Sequence, residues 1–364
     1  MSHTHPDEAD LNKNIGGMQR VSFQLVRELE RRESVKVIAE VASVSENFNK
    51  LQTIAFLLKI AVLLPLKVRK TDADLVLFSS ITTAIPVWFL RSRISVPMIA
   101  ISHGRDVIRP NRIYQQLVHK AFQSLDGVIS ISKATQNECI KRGLDSAKGI
   151  VLPNGIDLEK FSSPFTKEEA FQELKKLLVI PTSDKKILLT VGRLVKRKGH
   201  EWFVRNVMPK IKSDIIYVII GDGPERNRIA KVIEEEGLEG QVALMGYQTD
   251  KILRKAYAAA DVFVMPNIPV RGDMEGFGIV LLEANLAGTL VVASDLEGIK
   301  DVIIHGKNGF KVQKLNAEKF ARKIDQSLNT DLQKFSEDVK SMVEEKFAWR
   351  SIVEQYLSFF KKFL

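Results

Sequence analysis

Two carboxylates, Glu275 and Glu283, stand eight positions apart around the run Gly276-Phe277-Gly278-Ile279. Carboxylates accept hydrogen bonds from hydroxyl groups, so two of them at this spacing can hold two hydroxyl-rich rings. Gly276 and Gly278 let the backbone turn tightly and come close to a ligand. The apolar stretch that opens at Ile279 has helical composition. A helix starting there aims unpaired N–H groups and its positive dipole end at whatever precedes it, which suits a phosphate or a polyol. Glu283 then lies one turn inside the helix and Glu275 just before it. The spacing alone fits equally well a surface carboxylate followed by an unrelated helical one.

A second constellation bears on that choice. An apolar run at 187–191 ends in Gly192 and is followed by Arg193-Leu194-Val195-Lys196-Arg197-Lys198-Gly199-His200. This reads as a strand, a glycine turn and a basic loop. Arg193 falls at the carboxyl end of the strand, where open α/β sheets bind ligands. Its planar fork matches phosphate oxygens, and Lys198 adds a compact charge, so the two could neutralise a diphosphate. Lys196 and Arg197 read as a solvated loop. Gly221 and Gly223 follow another apolar strand, and Pro224 fits a first helical position. Without the third glycine of a dinucleotide fingerprint they mark a strand-to-helix turn. His103 follows the apolar run 98–102 at a strand end, whereas His3, His5 and His200 have no comparable context.

With these residues in this order the chain resembles the retaining glycosyltransferases of family 4, which have the GT-B fold. The resemblance rests on Gly192-Arg193-Leu194 with Lys198-Gly199, and on Glu275 with Glu283. Further matching stretches are Gly16-Gly17-Met18-Gln19-Arg20, Ser102-His103-Gly104, Ser132-Lys133-Ala134-Thr135, Pro153-Asn154-Gly155-Ile156-Asp157 and Gly221-Asp222-Gly223-Pro224. Arg271-Gly272-Asp273 ahead of Glu275 looks most like the branch of mannosyltransferases with lipid acceptors. The resemblance implies two Rossmann-like domains facing across a cleft and a last helix that crosses back to the first domain. It implies transfer of a hexose from a nucleoside-diphosphate sugar, GDP-mannose or a UDP-sugar, to a lipid-linked or polysaccharide acceptor in cell-envelope glycan synthesis. Configuration would be retained, and neither metal nor cofactor would be needed.

The same resemblance assigns roles. Arg193 and Lys198 would stabilise the leaving diphosphate, and Glu283 would hold the ribose. Glu275 with the Phe277 and Gly278 amides would hold the transferred sugar, which His103 would also touch. Gly192, Gly221, Gly223 and Ile279 would line the donor, and Gly16 and Gly17 would complete the phosphate side. Other readings stay open: a sugar-nucleotide epimerase or sugar-phosphate synthase of the same fold, or a silent sugar-nucleotide-binding protein. A nicotinamide oxidoreductase is disfavoured by the incomplete fingerprint.

Composition is compatible with this. A chain of 364 residues with 45% hydrophobic content can build two cores. The single Cys139 excludes a disulfide framework and suits a reducing, cytoplasmic compartment. No metal-ligand spacing is evident. Lys59, Pro65 and Lys67 interrupt the most apolar stretch, so no spanning helix is expected. The net charge of +10 is uneven: residues 50–120 carry eleven Lys or Arg against three Asp. The apolar helix candidate 51–64 followed by Lys67, Arg69 and Lys70 suits either the inner face of an anionic membrane or an ordinary core with a basic rim. No nucleic-acid module accompanies the charge.

Strand and helix patterns alternate, which predicts parallel sheets covered on both faces. Expected helices cover 18–31 and 111–125. Expected strands cover 35–41, 75–79, 98–102, 127–132 and 150–152, then 187–191, 215–220, 242–245, 262–265 and 290–293. The polar stretch 158–185 suggests a first domain over 1–165, a second over 166–345 and a returning helix over 346–364. Residues 1–14 are polar and offer no first strand. A segment preceding Met1, or another part of the chain, is therefore expected to complete the first sheet.

Overall fold

A computed structural model of the chain describes residues 17–39, 50–161, 165–178, 185–329 and 332–364. They form two compact units, residues 1–155 with 349–364, and residues 156–348. In chain order the first unit holds α1 (Gly17–Glu30), α2 (Lys50–Thr71), β1 (Val76–Phe78), α3 (Ile81–Ala84), α4 (Val87–Leu90), β2 (Met98–Ser102), α5 (Arg112–Ser124), β3 (Gly127–Ser130), α6 (Lys133–Ile140) and β4 (Gly149–Val151). The second holds α7 (Leu158–Phe161), α8 (Lys167–Lys175), β5 (Lys186–Val191), α9 (His200–Asn206), β6 (Ile215–Ile220), α10 (Arg226–Glu235), β7 (Val242–Gly246), α11 (Asp250–Ala259), β8 (Val262–Met265), α12 (Ile279–Leu286), β9 (Leu290–Ser294), α13 (Ile299–Val302), β10 (Phe310–Val312), α14 (Ala317–Leu328) and α15 (Leu332–Phe347). The last helix, α16 (Trp349–Phe360), belongs to the first unit.

Both sheets are parallel. The first has the order β1-β2-β3-β4. Such a sheet needs apolar cover on both faces, which is why β2 and β3 are buried at every position. Val76, Phe78, Met98, Ala100 and Val128 share one face and one apolar cluster with Ile60 and Leu64 of α2, Val87 and Leu90 of α4, and Val118 and Phe122 of α5. These helices therefore form a single layer. On the other face Gly127 makes room for the C-terminal aromatics: a Cβ there would come within 3.1 Å of the Phe359 and Phe363 rings. Short polar caps set several helix starts, with Asn111 accepting from the Tyr114 amide and Ser132 from the Thr135 amide.

The second sheet has the order β10-β9-β8-β5-β6-β7. The chain lays β6 and β7 on one side of β5, then crosses over to place β8, β9 and β10 on the other. A topological switch point therefore lies between β5 and β8, and a crevice opens beyond their carboxyl ends. Leu188, Tyr217, Ile219, Val262, Val264 and Val292 cover one face with Phe203 of α9, Ile229 of α10 and Phe320 of α14.

Three expectations change. Residues 35–39 form no strand: among the described residues none pairs with them, as a ladder requires, and Ile38 stays exposed. The rest of that stretch, and the polar residues 1–14, lie outside the described residues. The second unit begins at Ile156, ahead of the expected 166. Its first helices explain the shift: α8 packs on α11, and Lys160 of α7 pairs with Asp250 at 2.5 Å. The returning segment starts at Trp349, whose ring lies over Gly155 and whose Nε1 donates to Gln24 of α1. Strand β10 carried no sequence signal beyond a three-residue apolar alternation.

Candidate active site

Beyond β5 and β8 the second unit buries a cluster of charges. Gly192, at φ 153°, ends β5 and turns the chain away, leaving Arg193 exposed to solvent. Residues 196–198 make one 3-10 turn, and Gly199 at φ 70° then starts α9. Only glycine serves there, because a Cβ would stand 2.1 Å from the Pro266 carbonyl oxygen. This close approach brings the loop after β5 onto the loop after β8. Lys198 becomes buried, and its Nζ lies 2.6 Å from Glu275 Oε2. The same oxygen accepts from Asn267 Nδ2 at 3.1 Å and faces Arg197 Nε at 3.6 Å. Arg197 also reaches Asp273 at 3.5 Å.

Burial alone would raise the Glu275 carboxyl, but the charges of Lys198 and Arg197 outweigh it and hold the group below the usual value. Burial draws the Lys198 ammonium below its usual value while Glu275 opposes the shift. Glu275 is placed by backbone as well as by charge. Its N–H donates to Glu297 Oε2 at 2.5 Å, and its carbonyl accepts from Gly298 N. Glu297 itself sits at φ 46°, unusual for a residue with a side chain. Gly298 allows the two loops to touch, since a Cβ would stand 2.1 Å from the Gly276 oxygen.

Gly278, at φ 87°, is the N-cap of α12 and precedes Ile279. Phe277 is buried and meets Phe347 edge-on. Glu283 lies inside α12, nearly buried, and its Oε2 accepts from the Tyr257 hydroxyl of α11 at 2.6 Å. Gly221 and Gly223 serve packing, since Cβ atoms there would stand 1.9 Å from the Gly192 oxygen and 2.4 Å from the Leu194 oxygen. They let the loops after β5 and β6 stack backbone on backbone.

Below the charge cluster runs a buried polar chain. Thr190 Oγ1 donates to the Val264 carbonyl at 2.6 Å and therefore accepts from the Tyr217 hydroxyl at 2.8 Å. Tyr217 in turn can accept from His200 Nδ1 at 3.4 Å. His200 Nε2 is buried with no hydrogen-bond partner. Burial, with the nearby Lys198 charge, lowers the His200 pKa to about 3, so the ring is neutral.

The first unit has its own polar site at the carboxyl ends of β1 and β2. His103 Nε2 lies 2.9 Å from the Ser79 carbonyl, which can only accept, so Nε2 carries the proton and Nδ1 is left as an acceptor. Burial lowers the His103 pKa against the pull of Asp106. Asp106 orders the site by accepting from the His103 and Ile81 amides, at 2.9 and 2.8 Å. Gly17 opens α1, and a Cβ there would meet nothing within 4 Å. Gly16 lies outside the described residues.

The model of the group 1 glycosyl transferases matches residues 172–346, and that of glycosyltransferase family 4 matches residues 15–160. A glycosyltransferase of Methanocaldococcus jannaschii is 32% identical over 279 residues, 73% of this chain and 69% of its own length. The chain belongs to the family 4 glycosyltransferases. A GDP-mannose-dependent phosphatidylinositol monomannoside mannosyltransferase of Mycobacterium tuberculosis is 28% identical over 62% of this chain and 58% of its own. The structure of Anabaena HepE in complex with UDP and glucose has a TM-score of 0.76 at 19% identity, covering 95% of this chain and 96% of that one. The GT-B fold expected from the resemblance is thus the fold of this glycosyltransferase.

The glycosyltransferase brings together Lys198 and Glu275, two of the residues its sequence singles out, and places Glu283 on the helix that follows. Arg193 stands on the same loop as Lys198 without a partner in the cluster. Five residues of the site were not foreseen. Arg197, expected to be solvated, is half-buried and ion-paired because the turn that buries Lys198 carries it inward. Asn267 and Glu297 come from loops after β8 and β9 that no local pattern connects to Glu275. Tyr257 lies on α11, and only the helix packing aims its hydroxyl at Glu283. His200 had one available signal, its position directly after the Lys198-Gly199 pair.

Proposed function

We propose that this glycosyltransferase moves a hexose from a nucleoside-diphosphate sugar, GDP-mannose or a UDP-sugar, to a lipid-linked or polysaccharide acceptor of the cell envelope, with retention. The observation that carries the reading is the buried Lys198–Glu275 pair at the switch point of the second sheet. A buried ion pair is weak evidence for stability, since apolar residues of similar volume often do as well. Its value lies in chemistry. Breaking the bond between the anomeric carbon and the β-phosphate oxygen leaves the electron pair on the diphosphate. Arg193 and Lys198 neutralise that charge, the term that is usually largest in such catalysis. The acceptor hydroxyl forms the new bond, and its proton passes to the departing phosphate.

The contacts described for Glu275 all fall on Oε2, so Oε1 is the atom suited to a hydroxyl of the transferred sugar, beside the Phe277 and Gly278 amides. Glu283, oriented by Tyr257, accepts from the ribose hydroxyls. His103, neutral and with Nδ1 as acceptor, suits a sugar hydroxyl better than a phosphate. With cations from the chain itself beside the diphosphate, the reaction needs no metal. The mannosyltransferase relative supports a guanine nucleotide and a lipid acceptor, and the HepE structure supports a uracil nucleotide. The basic, apolar α2 favours a peripheral position at the inner face of an anionic membrane.

Titration calorimetry against GDP-mannose, UDP-glucose and their bare nucleoside diphosphates tests this. One donor should bind with its nucleoside diphosphate, Glu283→Ala should weaken both, and Glu275→Ala should weaken chiefly the sugar-bearing ligand. Failure of every sugar nucleotide to bind, or equal losses in the two variants, would overturn the assignment. Turnover of a bound donor without an acceptor would point instead to an epimerase.

A further inference from the structure

Helix α2 is apolar on two opposite sides. Phe56, Ile60, Leu64 and Val68, four residues apart, face the sheet of the first unit and join its core. Ile54, Leu58, Val62 and Leu66 repeat at the same interval but are displaced by two residues, about half a turn, and point away from it. Those four side chains are 54% to 66% exposed. A helix that is apolar all round is ordinarily covered all round. The neighbouring α4 continues the anomaly: Val87 and Leu90 face the core, while Trp88 and Phe89 are 42% and 47% exposed. Because α2, α4 and α5 share one layer over one sheet face, their outer sides belong to one side of the unit.

Charge identifies what this side meets. Helix α2 contains no Asp or Glu and carries Lys59, Lys67, Arg69 and Lys70. Each exposed aromatic of α4 has a cation over its ring, Lys120 at 4.7 Å from the Trp88 centroid and Arg93 at 4.5 Å from that of Phe89. A second copy of the chain meeting this face with the same face would bring like charges together, with no carboxylate on α2 to answer them. No helix among the described residues is long and apolar enough to cross a membrane.

We infer that this face docks by inserting Ile54, Leu58, Val62, Leu66, Trp88 and Phe89 into the interfacial region of an anionic lipid surface, with the surrounding cations against the headgroups. The inference rests on the peripheral reading above and sharpens it: attachment is by insertion as well as by attraction. Attraction between charges fades with salt, because the Debye length falls from about 10 Å at 0.1 M to about 3 Å at 1 M. Burial of apolar side chains does not fade in that way. A salt-resistant share of binding is therefore the mark of insertion.

The full chain, with vesicles of phosphatidylglycerol and phosphatidylcholine, provides the test. Of the three tryptophans, Trp349 is buried and Trp202 packs on the core of the second unit, so Trp88 should report insertion as a blue shift in emission. Binding should weaken at about 1 M salt yet persist. The triple variant Leu58→Gln, Val62→Gln, Leu66→Gln should bind at least about tenfold more weakly at both salt concentrations. Trp88→Phe should still sediment with vesicles but lose the blue shift. Binding that vanishes at high salt, a triple variant that binds as well as the parent, or a self-association that the triple variant abolishes without lipid would each overturn the inference. Nucleoside-diphosphate binding, measured separately, keeps the two readings apart. Its retention when docking fails leaves the glycosyl-transfer reading intact, and its absence when docking succeeds does the reverse.

Discussion

The two units break the ordinary pattern of polar outside and apolar inside in opposite ways. The second unit buries charge, with Lys198 and Glu275 each less than a tenth exposed at the end of β5 and β8. The first unit exposes apolar surface, with the outer side of α2 left uncovered. Neither departure favours folding by itself: burying an ion pair desolvates both partners, and an exposed leucine contributes little. Local choices that contradict the folding pattern concentrate where function requires them. The difference lies in the consequence of removal. Buried charges depend on each other, whereas exposed apolar residues depend only on what covers them.

The largest effect should follow from Lys198→Ala. It leaves Glu275 buried without its main partner, a loss of about 3–5 kcal/mol in stability, and lowers transfer at least about a hundredfold. Arg193→Ala should match that loss of transfer but shift stability by no more than about 0.5 kcal/mol, since the side chain is exposed. Denaturant titration beside a turnover assay separates the two. Equal stability of both variants would show that the pair is not the interdependent unit described. Replacing both partners, Lys198→Met with Glu275→Leu, should recover stability but not turnover.

A smaller effect is expected of Tyr257→Phe, which takes the hydroxyl from Glu283 Oε2 without altering the ring packing. Stability should fall by about 1.5–3 kcal/mol, the range for a hydrogen bond to a charged group. Nucleoside-diphosphate binding should weaken as well. Unchanged affinity would show that Glu283 needs no such orientation, or that it does not meet the ligand.

Acid should reveal the buried histidine of the second unit. Above the ordinary value of 6.5 His200 is neutral whether folded or not; below it the unfolded chain takes up a proton that the folded ring refuses until about 3. The unfolded state binds more protons in that window, so stability falls with acidification, by about 1.4 kcal/mol per pH unit from this ring. His200→Asn should flatten the acid limb of a stability-against-pH curve. A curve of unchanged slope would mean that His200 can be protonated in the folded state.

The smallest effect belongs to the outer side of α2. Leu58→Gln or Val62→Gln should alter stability in solution by no more than about 0.5 kcal/mol, in contrast to Leu64→Ala on the inner side at about 2–5 kcal/mol. Thermal melts of the three variants check this. A large loss from either outer substitution would place that side in the core and remove the contrast between the units.

The legible part of this protein was local. Runs such as Met98–Ser102, Ile215–Ile220 and Val262–Met265 are strands at the bounds that their apolar composition marks, because a parallel strand buried on both faces has no polar positions to blur its ends. Residues 35–39 show the limit: a largely apolar run forms no strand where no neighbour among the described residues completes the ladder. Within the site, Glu275, Glu283, Arg193 and Lys198 stood out because their types and spacing fit phosphates and hydroxyls. The sequence could not say that Lys198 and Glu275 touch, nor that Arg197 turns inward with them.

What the sequence by itself determined was the order of elements, the parallel class of both sheets and the residue types at the loop after β5 and at the start of α12. Each depends on neighbours only a few positions apart. The tertiary structure alone decided which loops meet. Gly199 against Pro266, and Gly298 against Gly276, bring the ends of β5, β8 and β9 together across gaps of tens of residues. Those approaches depend on sheet order and helix packing, which no single segment encodes. They turn scattered charged side chains into one buried site.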